Sequence, residues 1–223
     1  MGTSTCLYHF ILLNWYIFLN YYIPQLGAIF QDGAQSKYLT LLNLLLQAVF
    51  FGVAFLDDVL KRIKKRKDIK FITAFRDLFF ATLAFPIGTF VFLAFWTIYL
   101  YDRELIYPKT LDGIFPVWVN HAMHSFILLF LLIEIILRPH HYPSKTTGFI
   151  LLAVGSIGYI WRILWLYSKT GHWVYPVLEK LSPVGLAAFF FLSYISTVSF
   201  FLLGERLNHW KWGNRMLRTV KME

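Results

Sequence analysis

The side chains best suited to chemistry in this chain are a threonine and a pair of histidines set in otherwise apolar runs. The run Leu39-Thr40-Leu41-Leu42-Asn43-Leu44-Leu45-Leu46-Gln47 places Thr40, Asn43 and Gln47 on one helical stripe. A second run opens Val117-Trp118-Val119-Asn120-His121-Ala122-Met123-His124-Ser125, with two imidazoles three residues apart on one face. A hydroxyl and an imidazole are the minimum for nucleophilic acyl transfer. The alcohol is too weak an acid to attack unaided, and a neutral histidine can take its proton and later return it to the leaving group. In a bilayer such a site favours a lipid ester. The same residues have a structural alternative, in which Thr40 bonds its own backbone near the helix start and the histidines bond their neighbours. No serine sits in a nucleophile-elbow pattern.

The elements that carry these residues are read from hydropathy. The chain is 58% hydrophobic and only 15% charged, with 23 Phe, 13 Tyr and 8 Trp. That is far more apolar than a soluble domain, and bilayer is the expected solvent. A hydrocarbon core takes about 20 helical residues at ~1.5 Å each. Six uncharged or nearly uncharged runs have about that length: 6–24, 39–56, 78–101, 117–137, 148–167 and 185–203. The expected fold class is therefore all-α, a polytopic six-transmembrane-helix bundle in one membrane domain spanning 1–223, with a basic tail at 204–223. The first run lacks a basic n-region and a cleavage site, so it reads as a retained span.

The net charge of +9 does not point to nucleic acid, because the basic residues lie between hydrophobic runs rather than on a solvated face. They crowd instead into alternate loops: Lys61 to Arg76, Arg138 with Lys145, and the tail from Arg206 onward. The positive-inside rule makes that side cytosolic, with both termini there. The Asp58–Lys70 charge run reads as a solvated loop holding topology, with attraction to anionic lipid as the sharper alternative. This orientation sends the Thr40 and His124 runs inward from the same outer leaflet. Their backbones differ in depth by roughly 9 Å, so the two could meet, although spacing alone does not establish contact.

The remaining polar groups are expected to be structural. His121, His124, His140, His141 and His172 do not form a ligand set, because an i, i+3 pair without inward carboxylates is incomplete. No metal, haem or other cofactor is expected. Glu134 and Arg162 either pair across the bundle or snorkel to the interface. Pro86 is expected to kink its span, with neighbours satisfying the freed carbonyl. Cys6 is the only cysteine, so no intrachain disulfide can form, and an inert thiol is the expectation over S-palmitoylation.

Several stretches together resemble the androgen-induced gene 1 family. They are Lys37-Tyr38-Leu39-Thr40, Leu83-Ala84-Phe85-Pro86, Tyr101-Asp102-Arg103-Glu104-Leu105-Ile106-Tyr107-Pro108-Lys109, Asn120-His121-Ala122-Met123-His124 and Trp173-Val174-Tyr175-Pro176. The resemblance implies a multi-pass cell-membrane hydrolase of fatty acid esters of hydroxy fatty acids, with the endoplasmic reticulum as a second location. It also implies that Thr40 is the nucleophile and His124 its essential partner. Asn43 and Asn120 are candidates for an oxyanion or orienting hydrogen bond, and His121 is supporting at best. No third triad member stands out, since Glu134 lies ten residues, or about 15 Å, along the helix from His124. Two other classes compete. One is a non-catalytic membrane regulatory protein, in which control of an anticoagulant protein's expression requires binding alone. The other is a transporter or proton pathway, disfavoured by the shortage of acidic relay groups.

Overall fold

The computed structural model describes residues 3–27, 37–63 and 69–220, and among them every regular element is helical. Lys64, Lys65, Arg66 and Lys67 of the basic run, and Lys221 of the tail, lie outside the described residues. The helices are α1 (Thr3–Tyr22), α2 (Leu39–Ile63), α3 (Lys70–Phe79), α4 (Phe85–Asp102), α5 (Val117–His124), α6 (Phe126–Leu137), α7 (Lys145–Thr170), α8 (Pro176–Glu179) and α9 (Pro183–Val220). α3 and α4 form one rod through Leu105, and α5 and α6 form another, bent by 40° around Ser125.

Among the described residues, four helices are long and apolar enough to cross a membrane, or five when the bent α5–α6 pair is taken as one span. The remaining rod, α1, is uncharged but carries His9, Asn14 and Asn20, and it falls below that apolarity. Several rods run longer than their hydropathy minima. α2 continues past 56 to Ile63 because Asp57 and Asp58 are buried against partners rather than solvated. Asp58 and Lys61 are thus helical, which corrects the reading of the Asp58–Lys70 run as wholly solvated loop. α9 likewise continues beyond 203 as a helix.

The core lies among α1, α2, α4, α5 and α6. Tyr16 stacks on Phe51 with ring centroids 5.7 Å apart, and Phe50, Phe80, Phe85, Ile127 and Leu131 fill the centre. Gly88 permits the closest approach in this core, since a Cβ there would stand 2.5 Å from Leu131 Cδ1. α7 and α9 bury little of their surface and leave Ile150, Val154, Ile157, Trp161, Phe191 and Leu192 exposed, as a lipid-facing wall requires.

Around Pro86 the rod resolves its backbone conflict by widening. Residues Phe80–Ala84 form a π segment in which the Phe85 N–H donates to the Phe80 carbonyl, five residues back. Proline has no N–H to give, and a π-bulge absorbs the mismatch that would otherwise break the ladder. From α2, Gln47 Nε2 donates to the Ala84 carbonyl at 3.0 Å, so a neighbouring helix satisfies the backbone beside the proline.

Candidate active site

Thr40 occupies the first turn of α2, where the Tyr38 carbonyl accepts from the N–H groups of Leu41 and Leu42 at 3.1 Å. The N–H of Leu39 donates to the Tyr175 hydroxyl at 2.8 Å, and that hydroxyl meets Tyr159 at 3.1 Å. Tyr159 in turn donates to the Lys37 carbonyl at 3.0 Å, so two phenols brace the helix start from α7 and the segment before α8. Burial pushes the Tyr175 phenol up to about 12, which keeps it a neutral brace at physiological pH.

Across from this turn, the Thr40 Oγ1 lies 3.3 Å from His124 Nε2. The other ring nitrogen of His124 faces the Asn120 side-chain oxygen at 2.8 Å and the Asn120 carbonyl at 3.1 Å. A carbonyl can only accept, so Nδ1 carries the hydrogen and Nε2 presents its lone pair to the Thr40 hydroxyl. Phe95 of α4 stacks against the imidazole at a centroid distance of 3.5 Å and an interplanar angle of 8°. The ring is thus held in position and in tautomer by one face and one edge. The packed rods bring together what sequence depth left about 9 Å apart, with His124 at the end of α5.

The other sequence-derived candidates have different places. Asn43 is fully buried, its Oδ1 accepts from Gln47 Nε2 at 3.1 Å, and it is not part of the cavity wall beside Thr40. Asn43 thus belongs to a polar ladder joining α2 to the π segment. His121 pairs with Ser125 Oγ at 2.9 Å, stacks on Trp96 and also stands away from the cavity. Glu134 and Arg162 do not pair: Glu134 bonds His9 and His140, whereas the Arg162 guanidinium lies over the Trp165 ring.

Thr40 and His124 open onto a cavity of about 500 Å³. Its wall is almost wholly apolar, with Phe95, Val91 and Ile87 from α4, Ile160 and Ile163 from α7, and Phe190 from α9. The Tyr107–Leu111 turns and the Trp173–Leu178 segment roof it beside the catalytic candidates. Its size and character fit an aliphatic ligand with a single polar group to be oriented.

Sequence reasoning missed a second cluster, at the opposite end. His9 of α1 bonds Asp58 Oδ2 at 2.7 Å and Glu134 Oε2 at 2.8 Å. His140 bonds Asp77 Oδ1 at 3.0 Å and Glu134 Oε1 at 3.1 Å. Arg138 reaches Asp58 at 2.5 Å and also Asp57, while Arg76 reaches Asp57 at 2.5 Å and also Asp77. Lys61 and Thr73 complete the shell around Asp57. Asn208 of α9 brackets the His140 backbone from both sides. The available signal was an Asp57-Asp58 pair and an Arg76-Asp77 pair at the ends of apolar runs, together with His9 inside an uncharged one. Among the described residues no group of His, Cys, Asp and Glu is arranged to hold a metal ion.

An all-helical bundle with several membrane-length rods, and an apolar cavity onto which a hydroxyl and an imidazole open, defines a polytopic membrane protein. Residues 4–209 match the family profile described as FAR-17a/AIG1-like protein, and the chain belongs to that family. It is 66% identical over 218 residues to the androgen-dependent TFPI-regulating protein of Homo sapiens, covering 95% of each chain. It is 64% identical over 225 residues to the protein of that name in Mesocricetus auratus, covering 98% of this chain and 97% of the relative. The human androgen-induced gene 1 protein is 42% identical over 187 residues, or 81% of this chain and 79% of the relative. No solved structure matches the chain.

Proposed function

We propose that this protein is an intramembrane threonine hydrolase acting on the ester bond of fatty acid esters of hydroxy fatty acids. One observation carries the reading: Thr40 Oγ1 lies 3.3 Å from an imidazole nitrogen whose partner nitrogen is committed to Asn120, at the wall of an apolar cavity. In this mechanism His124 Nε2 takes the hydroxyl proton as Thr40 Oγ1 attacks the ester carbonyl. The tetrahedral intermediate then expels the alkoxide of the hydroxy fatty acid, which leaves as the alcohol with the proton from His124. Water, deprotonated by the same nitrogen, attacks the acyl-threonine and releases the fatty acid and the free hydroxyl. Asn120 positions the ring throughout. Thr40 lies in the first turn of α2, so charge developing on an ester oxygen bound beside it would face the positive end of that helix dipole.

The reading extends to the whole chain: one six-span domain, α1 included, in the cell membrane or the endoplasmic reticulum. The end that carries the basic loops and both termini faces the cytosol. The ligand is a lipid ester, and the basic residues between spans serve topology rather than nucleic acid.

The test compares wild type with Thr40→Ala and His124→Ala, each purified in detergent and shown to be folded by monodispersity. Both variants are expected to hydrolyse a branched ester of a hydroxy fatty acid at least about 10³-fold more slowly. Folded variants with wild-type turnover would return Thr40 and His124 to a structural role. The name shared by the Homo sapiens and Mesocricetus auratus relatives then favours a second reading, a non-catalytic membrane regulator of TFPI. That reading expects regulation to survive loss of both residues.

A further inference from the structure

Residues of α7 and α9 form one wall of the cavity, and the space between wall and surface is not filled evenly along α7. The two helices touch where a Cβ on Gly148 would stand 2.5 Å from the Phe201 ring, and where Tyr194 donates to the Phe149 carbonyl at 3.2 Å. Gly155 lies seven residues further along α7, roughly 10 Å nearer the Thr40 end. A Cβ there would meet no atom within 4 Å, although Gly155 lines the cavity and is itself exposed. Opposite, α9 contributes Phe189, Phe190 and Ser193 to the same wall. At Gly155, therefore, no side chain fills the space beside the helix, on a stretch that both lines the cavity and is exposed.

The cavity is elongated along α4, from Phe95 beside His124 to Leu83, a distance of about 18 Å at ~1.5 Å per residue. A long acyl chain held at Thr40 by its carbonyl carbon has that length to occupy, and the opening at Gly155 lies beside it. We propose that the acyl chain of a lipid passes between α7 and α9 at Gly155, which makes this glycine the residue that sets how bulky a chain reaches Thr40. The proposal takes the hydrolase reading as its setting, but the opening itself can be probed without turnover.

The experiment uses full-length wild type, Gly155→Trp and Gly158→Trp in detergent. Gly158 is the control: its Cβ would also meet open space, on the same helix, yet it does not line the cavity. Replacing a glycine in a helix interior favours the helix, so both variants are expected to fold. Turnover of p-nitrophenyl palmitate is compared with that of p-nitrophenyl butyrate, and palmitate binding is read by displacement of a fluorescent fatty acid. Gly155→Trp is expected to lower kcat/KM for palmitate relative to butyrate by at least about tenfold, with Gly158→Trp unchanged. An unchanged palmitate-to-butyrate ratio in Gly155→Trp overturns the proposal. If the wild type cleaves neither ester, the hydrolase reading fails and binding decides. Palmitate held about tenfold more weakly by Gly155→Trp than by Gly158→Trp sustains the chain opening, and equal binding by the two overturns it.

Discussion

At the Thr40 end of the bundle, one imidazole meets one hydroxyl and one amide beside an empty apolar volume. At the Arg138 end, two imidazoles meet three carboxylates, two guanidinium groups stand beside them, and the space is filled. His124 gives Nδ1 to Asn120 and keeps a lone pair on Nε2. His9 and His140 each have both nitrogens on carboxylate oxygens, so every ring lone pair or proton is committed. The same residue type therefore serves as a candidate base in one place and as a tie between helices in the other. The deciding variable is the partner of the second nitrogen: an amide or carbonyl leaves the first nitrogen basic, and a pair of carboxylates does not.

The contrast can be broken most forcefully at Glu134, which joins both tying histidines. Glu134→Ala leaves two buried imidazoles and the surrounding charges without their shared acceptor. It is expected to lower stability by about 3–5 kcal/mol, read as a fall in the thermal unfolding midpoint in detergent. Thr40→Ala in the same assay is expected to leave that midpoint nearly unmoved; matching falls would erase the distinction between the two ends. A smaller effect is expected at Asn120. Asn120→Ala removes one of two acceptors on Nδ1, but the carbonyl at 3.1 Å still fixes the tautomer. Loss of that one hydrogen bond corresponds to about a 10–100-fold fall in kcat with KM little changed, and a rise in KM alone would argue against a positioning role. The smallest change is expected at His121, whose contacts are Ser125 and Trp96 rather than the cavity. His121→Ala should reduce stability by about 0.5–1.5 kcal/mol and turnover by only a few-fold. A loss as deep as that of His124→Ala would move the base to the wrong histidine.

Much of the architecture was legible in the residue string. Apolar runs marked the rods, Pro86 marked the irregular backbone, and the polar stripes of 39–47 and 117–125 drew attention to Thr40 and to the His121–His124 pair before any distance was known. Hydropathy could not reveal how far helix continues past a run's end. Asp57 and Asp58 look like solvent-exposed residues until partners from α3 and from the segment after α6 neutralise them. Nor could it separate Asn43 from Asn120. Both sit on polar stripes, and only tertiary packing turns one toward Gln47 and the other toward the His124 ring. The Glu134 partners stayed hidden for the same reason: the other charge in an apolar span was Arg162, offered as one of two alternatives, whereas the actual partners are histidines in α1 and in the segment before α7.

The histidine at the start of the chain also imposes an order on biosynthesis. His9 is synthesised with the first helix, while its partner Glu134 emerges from the ribosome 125 residues later. Through that interval the ring has at most Asp58 of its two carboxylate partners. The first helix must therefore remain free to reseat, and the bundle can close only after its fourth rod has been delivered. A chain cut short before Glu134 carries an open latch, with one nitrogen of His9 lacking its carboxylate.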